Sequence, residues 1–237
     1  MLYNLNIQKH FILSIKNIIF SSTASVYKKS NKPLTEKSPL EPLSYYAKTK
    51  LNAENLIKGS RNINYIILRF FNVCSALDKP IVGELHKPET HLIPTVTYKL
   101  LKRKPIYIYG KNFKTIDGTC VRDYIHIKDV CSAINKSINF LLKNKRSLVL
   151  NIGNSKGYSN YEVVKYIEKL LKRNSKIKFV DNRKGDVATL ICDSKKAKSL
   201  ISWSPNYSNI SKIIENELNW INKLGKKGVK RSFKNYI

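Results

Sequence analysis

Acidic residues are scarce in this chain: 16 Asp and Glu face 44 Lys and Arg over 237 residues, a formal charge of +28. Long apolar runs are missing. No stretch of about 18 apolar residues occurs, which excludes a membrane-spanning helix within the sequence. Cysteine is limited to Cys74, Cys120, Cys131 and Cys192, without a CxxC spacing. That speaks against a disulfide scaffold or zinc ribbon, and the four read as small buried residues of a reduced, cytoplasmic protein. The segment Met1 to Phe11 has no small-residue cleavage site, so a signal peptide is not supported. Glycine is sparse as well. The first of nine is Gly59, and no GxxGxxG turn occurs anywhere.

What is present suffices for a folded protein. Hydrophobic residues make up 42% of the chain and aromatics 10%, which excludes a mostly disordered polypeptide. The length suits one domain, or one and a half. Only eight of the cations are Arg, and the Lys are spread along the chain. Bidentate recognition of phosphates and bases favours Arg. Lys, Asn and Ile, all favoured by A/T-rich codons, exceed a third of the residues. Compositional drift on solvated surfaces therefore explains the charge, no nucleic-acid or membrane partner is expected, and attraction to an anionic small molecule remains.

Along the chain, residues 17–22 form an apolar run ending in small hydroxyl residues, read as a buried strand opening onto a functional loop. Residues 44–57 show helical spacing, with Ser44 as N-cap. Residues 64–71 (NYIILRFF) read as a second buried strand. Strand, helix and strand predict a βαβ unit and a parallel sheet. Residues 74–122 carry much of the Pro, Gly and His with only short periodic stretches, an excursion from the sheet that bears a ligand site. Helices are expected at 129–142, 161–171, 194–200 and 210–224, and strands at 148–152, 177–180 and 189–192. A basic tail covers 225–237.

The chemistry-bearing strings come in a definite order. In SYYAKTK (44–50), Tyr46 and Lys50 stand at i and i+4 and share a helix face. An ammonium beside a phenol favours the phenolate, which can then take a proton from an alcohol as a hydride leaves the same carbon. YxxxK alone is a frequent chance match on a helix surface. Here Ser21, Ser22 and Thr23 close a strand about 23 residues earlier, where a hydroxyl can orient the substrate oxygen or simply cap the loop. The GELHKPETH string (83–91) offers two His and two Glu. It has no single regular face, Pro88 breaks it, and no metal is expected. Arg122 enters an apolar strand and suits a diphosphate, or else an Arg122–Asp123 ion pair. Arg183 and Asp186 flank Gly185, a basic residue and a carboxylate that can grip a ribose hydroxyl.

Together FSSTASVY (20–27), YYAKTK (45–50), LRFFN (68–72), GELHKPETHLIP (83–94), IYGKNFKTIDGTCVRDYIHIKDV (108–130), LNIGNSKGYSN (150–160) and RKGDVATLICD (183–193) resemble the UDP-glucose 4-epimerases of the extended short-chain dehydrogenase/reductase family. The resemblance runs from about Ile18 to Trp220. It implies an α/β fold: a partial Rossmann-like parallel sheet over 1–72, with its N-terminal strands missing, and a smaller C-terminal α/β region over 73–224 that binds the nucleotide sugar and returns some Rossmann elements. It implies Tyr46 as base, Lys50 as its modulator and as holder of the nicotinamide ribose, and Thr23 as the substrate-orienting hydroxyl. Phe71 would lie beside the nicotinamide. Asn72, His91, Leu92, Tyr107, Tyr109, Arg122, Arg183 and Asp186 would bind a UDP-sugar, and Leu190 would stand where sugar size is gated. The implied cofactor is NAD, the implied partners are a UDP-sugar and a second copy of the chain, and the implied reaction is reversible C4 epimerisation by transient hydride transfer.

The family pattern is departed from at Leu190, medium-sized at the gating position so that N-acetylated sugars stay open, and in the following places. Tyr45-Tyr46-Ala47 stands where Pro-Tyr-Gly is usual, which removes no reacting group. The segment 4–16 is short for the helix expected before FSST. The opening strand and GxxGxxG cradle of the family have no counterpart, roughly 90–100 residues by the size of a βαβαβ half-domain. On that ground the chain alone is expected to be weakly active or inactive, and a non-catalytic or vestigial nucleotide-sugar-binding protein is the alternative.

Overall fold

The computed structural model describes residues 15–86, 88–183 and 185–226. The expectations for the N-terminal segment and for most of the basic tail lie outside the described residues.

The chain begins with strand β1 (Asn17–Thr23), a 3-10 turn (Ala24–Val26), helix α1 (Tyr45–Gly59) and strand β2 (Asn64–Phe70). Short strands β3 (Asn72–Cys74), β4 (Leu77–Asp78) and β5 (Ile81–Val82) precede helix α2 (Leu92–Leu101). Strands β6 (Ile106–Tyr109) and β7 (Val121–His126), helix α3 (Ile127–Asn144), strands β8 (Leu148–Ile152) and β9 (Gly157–Ser159) and helix α4 (Asn160–Leu171) follow. Strands β10 (Ile177–Val180) and β11 (Thr189–Leu190) and helices α5 (Lys195–Ile201) and α6 (Ile210–Lys226) complete it.

The expected βαβ unit is present. β1 and β2 pair in parallel with α1 between them, and β8 joins on the far side of β2, giving the order β1-β2-β8. Ile66, Ile67 and Leu68 are fully buried, as an apolar run in the middle of a parallel sheet should be. α3 and α5 cover this sheet through Val130, Ala133, Leu141 and Ala197, joined by Trp203 just after α5. A second core gathers α2, α4 and α6 around Ile106, Ile108, Val163, Ile167 and Ile214. β7 sits between β3 and β11, with β9 antiparallel to it, while β6 and β10 form a separate parallel pair.

Helix α2 has no counterpart among the expected elements, because its residues show only short periodic stretches. Pro94 is the reason: it suggests a breaker, yet it occupies the first turn, where its missing N–H costs nothing. α3 starts two residues earlier than expected because His126 Nδ1 accepts from the Lys128 N–H and caps it. Cys131 corrects another expectation. It is exposed on α3, Cys74 is half-buried, and only Cys120 and Cys192 are buried. No helix among the described residues is long and apolar enough to cross a membrane.

Candidate active site

The carboxyl end of β1 and the first turns of α1 meet at one cavity of about 660 Å³. Ser44 fixes where α1 begins: its side chain accepts from the Ala47 N–H at 3.1 Å. That start places Tyr46 and Lys50 one turn apart on the wall of the cavity. Lys50 Nζ donates to the Ser21 carbonyl at 3.0 Å and stands 5.8 Å from the centre of the Tyr46 ring. Tyr46 is half exposed, at 54%, so its phenol is open to a ligand. Thr23, at the end of β1, is buried, with 9% exposure, and lines the same cavity. Its Oγ1 also accepts from the Ser25 N–H at 3.2 Å, so the capping role and the place in the site coexist. Phe71, Asn72, His91 and Leu190 complete the expected residues of this cavity.

A second cavity, of about 470 Å³, is lined by Leu92, Tyr107, Tyr109, Arg122, Arg183 and Asp186. Asn72 and His91 line both cavities and so mark their seam. The guanidinium of Arg183 lies 3.8 Å from the centre of the Tyr109 ring. Arg122 Nη1 donates to the carbonyls of Val121 and Val187, and its Nη2 lies 3.7 Å from Asp186. The Arg122–Asp123 ion pair is therefore corrected. Asp123 points into the protein and accepts from the N–H groups of Asn154, Ser155 and Cys192. Burial raises its carboxyl to about 7 against those three donors. Lys99 of α2, unexpected from the sequence like the helix that carries it, also lines this cavity, with its ammonium 4.9 Å from the Tyr107 ring centre. Arg122, Arg183 and Lys99 make the second cavity suited to a multiply charged anion.

The GELHKPETH loop behaves differently from expectation. Lacking a regular face did not keep its ligating groups apart: Glu84, His86 and His91 offer donor atoms within 4.8 Å of one another. Those atoms already engage one another. His86 Nε2 pairs with Glu84, and His91 Nδ1 lies 3.2 Å from Glu89 and 3.5 Å from Glu84. The Glu89 hydrogen bond raises the His91 imidazole above its ordinary value. Burial alone would raise Glu89, but His91 outweighs it and holds the carboxyl below its usual range. The loop is anchored from behind: Gly83 lies against the Trp220 ring, where a Cβ would come within 2.5 Å, and Trp220 Nε1 donates to the Glu84 carbonyl at 2.8 Å. Gly83 thus supplies close approach, a reason the sequence alone did not reveal.

The thirteen residues expected to bind or react are all distributed over these two adjoining cavities. The profile of the NAD dependent epimerase/dehydratase family matches residues 6–153. The UDP-glucose 4-epimerase of Lacticaseibacillus casei is 36% identical over 211 residues, covering 87% of this chain and 64% of that protein. Among solved structures, the UDP-glucose 4-epimerase from Stenotrophomonas maltophila with bound NAD and formylated UDP-arabinopyranose aligns with a TM-score of 0.83 at 28% identity, over 90% of this chain and 65% of that one. The Bifidobacterium longum enzyme in complex with NAD+ and UDP aligns with a TM-score of 0.81 at 31% identity, over 91% and 65%. The chain thus spans about two thirds of the length of the relatives it matches (64% of the first).

Proposed function

The chain belongs to the NAD dependent epimerase/dehydratase family, and on that premise we propose that it interconverts UDP-glucose and UDP-galactose at sugar C4. The observation that carries this reading is the arrangement of Tyr46, Lys50 and Thr23 on one cavity that opens, at Asn72 and His91, onto a second cavity lined by cations. The first cavity fits the nicotinamide end of NAD, with Tyr46 and Lys50 on its wall and the buried Phe71 ring behind. No glycine-rich turn for the pyrophosphate occurs in the sequence. Bound NAD would supply the acceptor for the C4 hydride and its return to the opposite face of that carbon, which inverts C4.

The chain's own residues do the rest. Tyr46 takes the proton of the 4-hydroxyl and later returns it. Lys50, tethered to the Ser21 carbonyl, holds positive charge where negative charge develops on the phenol oxygen. Thr23 orients the reacting hydroxyl. Arg122 and Arg183 grip the diphosphate, Asp186 and the ring faces of Tyr107 and Tyr109 hold the nucleoside end, and Leu190 bounds the sugar. A second copy of the chain packing on the exposed Tyr45 and Leu56 of α1 is the protein partner we assign. The four free thiols suit the reducing cytoplasm.

We also expect the 237 residues alone to turn over slowly or not at all, because they contain no pyrophosphate cradle of their own. That feature favours a second reading, a nucleotide-sugar-binding protein without catalysis. Calorimetric titration with UDP and an assay of UDP-galactose turnover at saturating NAD separate the two. Tyr46→Phe should lower turnover by at least about 100-fold while UDP binding persists. UDP binding without turnover leaves the second reading. Absence of UDP binding contradicts both.

A further inference from the structure

Beneath the first cavity lies a buried polar row that has no part in the chemistry proposed above. In sheet register Ser22 stands beside Arg69, and Arg69 beside Asn151, one step below the row of Thr23, Phe70 and Ile152. Glu54 of α1 closes onto this row. It is fully buried, and Arg69 is exposed by only 2%. Arg69 donates Nε to Glu54 Oε1 at 2.9 Å and Nη2 to Oε2 at 2.6 Å, a bidentate pair. Ser22 Oγ donates to Glu54 Oε1 at 2.6 Å. On the other side Arg69 Nη1 donates to Tyr27 Oη at 2.9 Å, and Tyr27 donates to Asn151 Oδ1 at 2.6 Å. Burial alone would raise the Glu54 carboxyl, but Arg69, Ser22 and Lys58 outweigh it and hold it below the usual range.

A buried ion pair is a poor device for stability, since well-packed apolar residues commonly do as well. Its geometry here points elsewhere. Glu54 stands one turn after Lys50 and two after Tyr46 on the same helix face. Ser22, its partner, lies between Ser21, whose carbonyl holds Lys50, and Thr23. We propose that the Ser22–Glu54–Arg69 contact is a positioning device: it fixes the rotation and height of α1 on β1, and so sets Lys50 and Tyr46 against Thr23. The proposal rests on the catalytic reading of Tyr46, Lys50 and Thr23, yet its structural part can be measured without turnover.

Removing Glu54 would strand the buried Arg69 and endanger folding, so Ser22→Ala is the informative variant, because it leaves the ion pair whole. Mass-spectrometric footprinting with an amine-acylating reagent reads each lysine separately. Ser22→Ala should raise Lys50 labelling about threefold or more, with Lys99 and Lys165 unchanged as internal controls, and Ser22→Thr should restore protection. In the turnover assay Ser22→Ala should lower kcat about tenfold with KM nearly unchanged. Unchanged Lys50 labelling overturns the proposal, as does a uniform rise at every lysine, which would mark loss of stability only. Selective Lys50 exposure in a chain whose wild type lacks turnover upholds the positioning and leaves the reading of the chain as a nucleotide-sugar-binding protein without catalysis.

Discussion

Glu217 offers the sharpest test of a single side chain. It is buried on α6 with 7% exposure, and burial, with Glu89 and Glu84 nearby, pushes its carboxyl up to about 7. The folded state thus holds its proton more tightly than the unfolded chain does. Stability falls as pH rises from the ordinary Glu value through about 7. Glu217→Gln should therefore stabilise the protein by about 1–3 kcal/mol at alkaline pH and by much less at mildly acidic pH. Thermal melting at the two pH values checks this, and an equal gain at both would contradict it. Glu54 works in the opposite direction. Its depressed carboxyl contributes stability at neutral pH that is lost as pH falls below the normal Glu range. Single residues were partly legible. The spacing of Tyr46 and Lys50 was enough to place them one turn apart on a helix, as they stand on α1. The role of Arg69 within LRFFN is not legible in the sequence, because its partner Glu54 lies 15 residues away on another element and no local pattern connects them.

The best-determined elements are those with capping signals. Ser159 caps α4 in a capping box with Glu162, accepting from the Glu162 N–H at 2.9 Å while Glu162 accepts from the Ser159 N–H at 2.8 Å. Ser159→Ala should cost about 1–2 kcal/mol, to be read by urea denaturation; a loss under a few tenths would show that the cap is dispensable. The same logic made α1 readable from Ser44 and the run after it. Helix α2 stayed hidden because Pro94 signals a break, although it is harmless in a first turn. β3, β4, β5 and β9 were invisible for a different reason. They span two or three residues each, too few for a period to register, and exist because neighbouring strands pair with them.

At the scale of the molecule, the parallel order was foreseen only for β1 and β2. Placing β8 beside β2 joins residues some 80 positions apart, and periodicity carries no information on such pairings. The large positive charge acquires a local meaning in the second cavity, where Arg122, Arg183 and Lys99 gather. UDP affinity should accordingly weaken as salt is raised. Arg183→Ala should weaken it by about tenfold or more, measured by calorimetry; no change would remove Arg183 from the proposed diphosphate site. The proposed catalysis itself is tested most directly with UDP-galactose deuterated at sugar C4. If Tyr46 removes only the hydroxyl proton and the C4 hydrogen travels as a hydride within the site, the UDP-glucose formed keeps its deuterium at C4, and Tyr46→Phe forms it at least about 100-fold more slowly. Loss of the label to water during epimerisation, or undiminished epimerisation by Tyr46→Phe, would contradict the account.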